Sequence, residues 1–145
     1  MATIVTDTSF LFSLFGSDAH TAAAKSWATH AMQPILVTAL NRYEFGNAMR
    51  FAAFRKVISQ TEALNSIAAF DSDLRSGMLQ PTRCDLADVL QEAERLSELH
   101  TLKGGHRSFD VLHVATGCLL RATTFLTFDA NQRKLAHALG ILAGP

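Results

Sequence analysis

The sequence predicts a single α/β domain spanning residues 1–145, with a central parallel sheet flanked by helices. Three observations carry this expectation. Short runs of β-branched and apolar residues alternate with longer segments of helical period, the pattern of a parallel sheet joined by right-handed helical crossovers. A chain of 145 residues with 48% apolar content fills one substantial core and is too small for two ordinary domains. Acidic residues stand directly after predicted strands, at the edge where open α/β sheets place their working sites.

Ile4 and Val5 open a short buried strand that ends at Asp7, and Thr8 to Phe15 has the apolar density of a helix start. Helix resumes around Ala19 to Met32, with Ala22, Ala23, Ala24 and Trp27 as core candidates. Pro34 breaks it, and Ile35 to Val37 makes a second strand leading into Thr38. A long helix is expected from about Asn41 to Ile58. Thr61 to Ser76 reads as another, with Leu64, Ile67, Ala68 and Phe70 near a 3.6-residue period and Gly77 as its stop. Met78 to Gln80 supplies a third strand. Asp85 begins a helix carrying Leu86, Val89, Leu90, Ala93 and Leu96 on one face, running to about Leu102 before Gly104-Gly105. Phe109 to Leu120 is a strongly apolar helix, Thr123 to Phe128 a strand stopping at Asp129, and Asn131 to Leu139 a closing helix ended by Gly140. Ile141 and Leu142 add a last short strand.

Charge is balanced, with 13 basic and 13 acidic side chains, so net charge alone gives no reason to expect nucleic acid. If four of those acids are drawn into one pocket, nine remain against 13 bases, and the outer surface keeps a modest basic excess that can face phosphates. Cys84 and Cys118, the only cysteines, form no CxxC spacing and no disulfide framework, which fits a reducing, cytoplasmic location. No basic leader precedes a long apolar stretch and no segment reaches membrane-span length, so a soluble, unprocessed chain is expected.

Four acids stand out: Asp7, Glu44, Asp110 and Asp129, in the segments IVTDTSFL, NRYEFGNAM, GGHRSFDVLHVA and FLTFDANQRKLA. Each lies at or just after the carboxyl end of a predicted strand or at a helix start, so all four can reach one edge of the sheet. Gathering four carboxylates among apolar segments is costly unless a cation or protons neutralise them. An all-carboxylate set without His or Cys suits Mg²⁺ or Mn²⁺, and with it a metal-activated attack of water on a phosphodiester. Each acid also has an ordinary reading: Asp7 and Asp129 as helix N-caps, Asp110 as a first-turn acid, Glu44 as a partly exposed salt-bridged residue. Arg42, Arg107, Arg133 and Lys134 lie within a few residues of the acids and are candidates for holding substrate phosphates. His113 is expected to pack beneath the site, with zinc spacings absent, and His106 in the preceding loop is placed to reach a substrate in the pocket. Phe10, Phe12, Phe15, Phe51 and Phe54 read as core or dimer-contact aromatics.

Taken together the segments resemble the PIN domain family, and more narrowly the VapC-like toxins of type II toxin–antitoxin systems. The resemblance rests on Asp7-Thr8-Ser9, on Glu44, on the run from Gly105 to Asp110 with Leu112 to Ala115, and on Thr127-Phe128-Asp129, in the family's order over nearly the whole chain. It implies a PIN-like, Rossmann-like fold and a Mg²⁺- or Mn²⁺-dependent endoribonuclease. By matching position, Asp7, Glu44, Asp110 and Asp129 form the acidic pocket, while Thr8, Ser9, Thr127 and Asn131 support it or position water. It implies a homodimer, an RNA substrate and a cognate antitoxin that holds the toxin inactive. A phosphoreceiver domain, the rival α/β domain with acids at strand ends, needs paired acids after the first strand, where this chain has TDTSF. A noncatalytic PIN-like module that binds RNA or protein stays open as the alternative.

Overall fold

A computed structural model describes all 145 residues. The strands are β1 (Ile4–Thr6), β2 (Ile35–Val37), β3 (Leu79–Pro81), β4 (Thr124–Leu126) and β5 (Leu142–Gly144). All pair in parallel, in the order β3-β2-β1-β4-β5. Between them run α1 (Thr8–Phe15), α2 (Thr21–His30), α3 (Ala39–Phe54), α4 (Gln60–Ser76), α5 (Leu86–Gly104), α6 (Ser108–Leu119) and α7 (Ala130–Ala138). The predicted fold class is the one observed.

Successive strand side chains point to opposite faces, and the sheet sorts its residues into two cores accordingly. Ile4, Ile35, Val37 and Leu126 join Phe10, Leu11, Phe45, Met49 and Phe70 beneath α1 to α4. Val5 and Phe125 join Val89, Leu96, Val114 and Leu135 beneath α5 to α7. Both faces are therefore covered, which is why the strands read as unbroken apolar runs. The α6 backbone lies close over β1: a Cβ on Gly117 would stand 3.2 Å from Val5 Cγ2.

Several element limits and faces differ from the sequence expectation. Helix α3 ends at Phe54 rather than near Ile58, because Lys56 adopts a left-handed φ of 60° and the Val57 N–H closes back onto the Ala52 carbonyl. Helix α5 takes in Gly104 and stops at Gly105, whose φ of 65° suits glycine. In α2 only Ala24 is fully buried, with Trp27 and Ala28 packed behind it, while Ala22 and Ala23 face solvent. The buried stripe of α4 is Ala63, Ile67 and Phe70, leaving Leu64 and Ala68 outside; that of α5 is Val89, Ala93 and Leu96, leaving Leu86 and Leu90 exposed. A shift of one residue turns a helix by about 100°, so a face chosen one position off points outward.

Candidate active site

The strand order reverses at β1, whose neighbours are β2 on one side and β4 on the other. In an open α/β sheet the crevice beyond the strand ends at such a reversal is the natural place for a ligand. Asp7 follows β1, and Thr127 to Asp129 follow β4, so two of the four acids flank that crevice directly. Asp110 comes to it from the first turn of α6 and Glu44 from α3.

Asp7 is 0% exposed, an unusual place for a carboxylate. It caps α1: Oδ1 accepts from the Phe10 backbone N–H at 3.0 Å. Its Oδ2 accepts from the Thr127 hydroxyl at 2.7 Å and from Gln132 Nε2 at 2.9 Å, and the Ser9 hydroxyl lies 2.8 Å from both oxygens. Ser9 Oγ in turn accepts from the Phe128 N–H at 3.0 Å, tying the loop after β4 to the loop after β1. Burial pushes the Asp7 carboxyl above its ordinary value of 3.8, and these hydrogen bonds only partly offset it. Without a bound cation, ionised Asp7 therefore destabilises the fold. That penalty is absent below pH 3.8, where the group is protonated folded and unfolded, and it grows as pH rises toward the raised folded value. Urea unfolding in chelator, from pH 3.8 upward, is expected to show this decline in wild type and a flatter profile in Asp7→Asn.

Asp110 is nearly buried and shares the Asp7 partner: Gln132 Nε2 donates to Asp110 Oδ1 at 3.0 Å as well as to Asp7. Arg107 donates from Nε to Asp110 Oδ2 at 3.0 Å, and its Nη2 lies 3.7 Å from Asp129 Oδ2. Asp129 caps α7 by accepting from the Gln132 N–H at 2.9 Å, leaving its second oxygen toward the pocket. Asp7, Asp110 and Asp129 are thus joined through one amide and one guanidinium.

Glu44 belongs to a separate branch. Its Oε2 accepts a hydrogen bond from His113 Nε2–H at 2.6 Å. His113 is buried and packed beneath the site, as expected, with Nδ1 3.4 Å from Asn41 Nδ2. Asn41 donates to the Thr6 carbonyl at 3.1 Å and accepts from the Thr38 N–H at 2.9 Å, so the chain of contacts runs from the end of β2 to Glu44. An ionised carboxylate only accepts, so Nε2 carries the imidazole proton and Nδ1 faces the Asn41 amide. Partial burial pushes the Glu44 carboxyl up, but the hydrogen bonds from His113 and Thr8 outweigh it and hold the group below 4.5. The stability from this contact is present above pH 4.5 and is lost as pH falls through the depressed value. In His113→Phe, the Glu44 carboxyl is expected to titrate higher than in wild type, read by NMR of its side-chain carbon.

The other predicted site residues divide. Thr8, buried, lies 3.4 Å from His113 Nε2; Ser9 and Thr127 hold Asp7 directly. Asn131, expected to support the acids, is instead exposed on the wall of a cleft with Lys134, His100, Lys103 and His106. Arg42 is turned to α4, where it makes a bidentate pair with Asp71 at 2.7 and 3.0 Å, so it is not a free phosphate ligand. Arg133 is occupied with the Thr127 and Pro145 carbonyls at 2.9 and 2.7 Å. Of the four predicted cations, Arg107 alone touches the acids. Sequence reasoning passed over Gln132 and Asn41. Both stand three residues after a helix N-cap, Asp129 and Thr38, where a Gln or Asn reads as an ordinary capping-box residue.

The family profile described as PIN domain matches residues 4–138, which include every residue of this site. The chain belongs to the PIN domain family. No curated protein matches it in sequence. Among solved structures, the fold is similar to VapC20 of Mycobacterium tuberculosis, described as a sarcin-ricin loop cleaving toxin, with a TM-score of 0.71 at 15% identity, covering 97% of both chains. It is also similar to PAE2754 of Pyrobaculum aerophilum, with a TM-score of 0.61 at 18% identity, over 98% of this chain and 89% of that one. A third is FitAcB of Neisseria gonorrhoeae, with a TM-score of 0.59 at 12% identity, over 99% and 97%. At these identities the likeness establishes the fold.

PIN domains imply a divalent metal, and the donor chemistry here fits one. The pocket offers carboxylate oxygens from Asp7, Asp110, Asp129 and Glu44, the ligand type that Mg²⁺ and Mn²⁺ prefer. Gln132 Oε1, buried in the same cluster, has no hydrogen-bond partner. As they stand, however, no three His, Cys, Asp or Glu side chains converge into a ready cage. The physical reason is visible: the Gln132 amide and Arg107 lie between the acids, and Glu44 leans on His113.

Proposed function

We propose that this PIN domain is a Mg²⁺- or Mn²⁺-dependent endoribonuclease, the toxin of a VapBC-type pair restrained by a cognate antitoxin. The observation that carries the reading is a fully buried Asp7 at the strand-order reversal, joined to Asp110 through one amide and to the Asp129 backbone through the Thr127 hydroxyl. Burial pushes the Asp7 carboxyl up, so its charge is met by a proton or by a cation, and the neighbouring Asp110 and Asp129 oxygens suit a cation. Membership of the family and the likeness to VapC20 and FitAcB support the same reading.

A divalent cation held by Asp7, Asp110 and Asp129 would supply Lewis-acid charge and acidify an attacking water. The chain's own residues do the rest. Ser9, Thr127 and the Phe10 N–H fix the Asp7 carboxylate. Glu44, kept ionised and aimed by His113, accepts a hydrogen bond from a water on the open side of the pocket. Arg107, 78% exposed, stands on the rim of a groove lined by Tyr43, Glu44, Asn47, Phe109 and Asp110, where a substrate phosphate can take over its guanidinium. Arg107→Ala is expected to lower kcat/KM about 10–100-fold, mainly through KM, and to reduce the salt slope of RNA binding by about one. Fluorescence anisotropy and cleavage kinetics across a salt series check both.

No helix is long and apolar enough to cross a membrane. Free Cys84 and Cys118 are compatible with the cytoplasm, where RNA is met. For the homodimer we assign the outer face of α3 and α4, where Tyr43, Phe51, Phe54 and Leu64 are all more than half exposed. The activity test is cleavage of a total RNA pool against DNA at equal concentration, with Mg²⁺, Mn²⁺ or chelator. RNA cleavage that needs the cation supports the ribonuclease; preferential DNA cleavage reassigns the substrate; no cleavage by folded protein leaves a binding module.

A further inference from the structure

Gln132 stands out among groups outside the expected acidic set. It is 4% exposed, it sits in the first turn of α7, and its amide end lies inside the acidic cluster. The Nε2 group donates to Asp7 Oδ2 at 2.9 Å and to Asp110 Oδ1 at 3.0 Å. An amide NH₂ has two protons, so both are spent on the two carboxylates. Its Oε1 is buried with no partner, which costs a free acceptor its hydration. The orientation is fixed by chemistry, because exchanging the two atoms would set a carbonyl oxygen against two carboxylates.

We propose that Gln132 is a placeholder for the cation: its amide NH₂ bridges Asp7 and Asp110 while the metal is away and competes with the metal for the same two oxygens. The proposal rests on the metal-dependent reading above. A donor can neutralise repulsion between two carboxylates only partly, whereas a divalent cation does so fully, so the metal displaces the amide. Gln132 is a positioning residue by this account. It keeps the acids in place between cation-binding events and sets how readily a cation enters.

Removing a contact made only in the metal-free state must tighten cation binding, since the competing state is weakened. Gln132→Met, similar in length but with neither donor nor acceptor, is expected to melt lower than wild type in chelator. It is expected to bind Mn²⁺ at least about tenfold more tightly by calorimetry, two charge-assisted hydrogen bonds having been lost from the competing state. Gln132→Asn, one methylene shorter and able to reach at most one carboxylate, is expected to fall between. If Gln132→Met is unfolded in chelator, its recovery of native circular dichroism on adding Mn²⁺ supports the proposal. Failure to recover at saturating Mn²⁺ shows an ordinary structural role and overturns it. Folded variants with unchanged or weaker Mn²⁺ affinity also overturn it. Wild type that binds no Mn²⁺ overturns the metal reading itself, and the two failures are thereby distinguished.

Discussion

Asp7→Asn is expected to reduce cation-dependent RNA cleavage by about 10³-fold or more while the protein stays folded, since several kcal/mol of transition-state stabilisation depend on a properly held cation. The fold survives because the asparagine oxygen can still accept from the Phe10 N–H and keep the α1 cap. Stability at neutral pH is expected to hold or rise, because the buried charge is gone. Two donations to Oδ2 are lost: the new NH₂ faces the Gln132 NH₂, which then keeps Asp110 alone, and the Thr127 hydroxyl, which must turn to accept. Cleavage of labelled RNA, run beside urea unfolding of the same preparations, separates lost chemistry from lost structure. A variant that melts normally and cleaves like wild type would remove Asp7 from the mechanism.

The largest expected effect on stability comes from the aromatic side chain beneath that cap. Phe10 is fully buried, meets Trp27 edge-on at 5.7 Å and stacks with Phe128 at 5.8 Å between ring centroids. Phe10→Ala is expected to cost about 3–5 kcal/mol, the transfer of a buried aromatic plus the cavity it leaves. The loss also reaches the site: Phe10 carries the N–H that caps Asp7, and Phe128 lies in the loop between Thr127 and Asp129. Activity is therefore expected to fall further than the unfolded fraction accounts for. Calorimetric melting and specific activity corrected for folded fraction give the two numbers.

The sheet and its order of elements were legible because strands covered on both faces leave unbroken apolar runs: Ile35 to Val37 and Thr124 to Leu126 look like nothing else. Helix faces were less legible. Alanines in α2 and leucines in α4 and α5 carry no mark saying which of two adjacent stripes meets the sheet, and Ala22, Leu64 and Leu90 lie on the outer one. The same limit applies around the pocket. Asp7 announces itself because an acid directly after a buried strand is costly. Arg42 and Arg133 are close to the acids in sequence yet point to Asp71 and to the C-terminal carbonyls, since helix rotation and not sequence distance decides where a guanidinium goes. Gln132 was hidden by its neighbour: the Asp129 cap makes a Gln three residues later look like routine capping, while α7 turns it inward and Asn131 outward.

The central claim is that the acids beyond β1 and β4 hold a divalent cation, and it is tested most directly by anomalous X-ray scattering from crystals grown with Mn²⁺. The account predicts an anomalous peak bound by the carboxylates of Asp7 and Asp110, with the Gln132 amide moved off both. A well-ordered pocket with no peak at saturating Mn²⁺, its Gln132 still bridging the two aspartates, would contradict it.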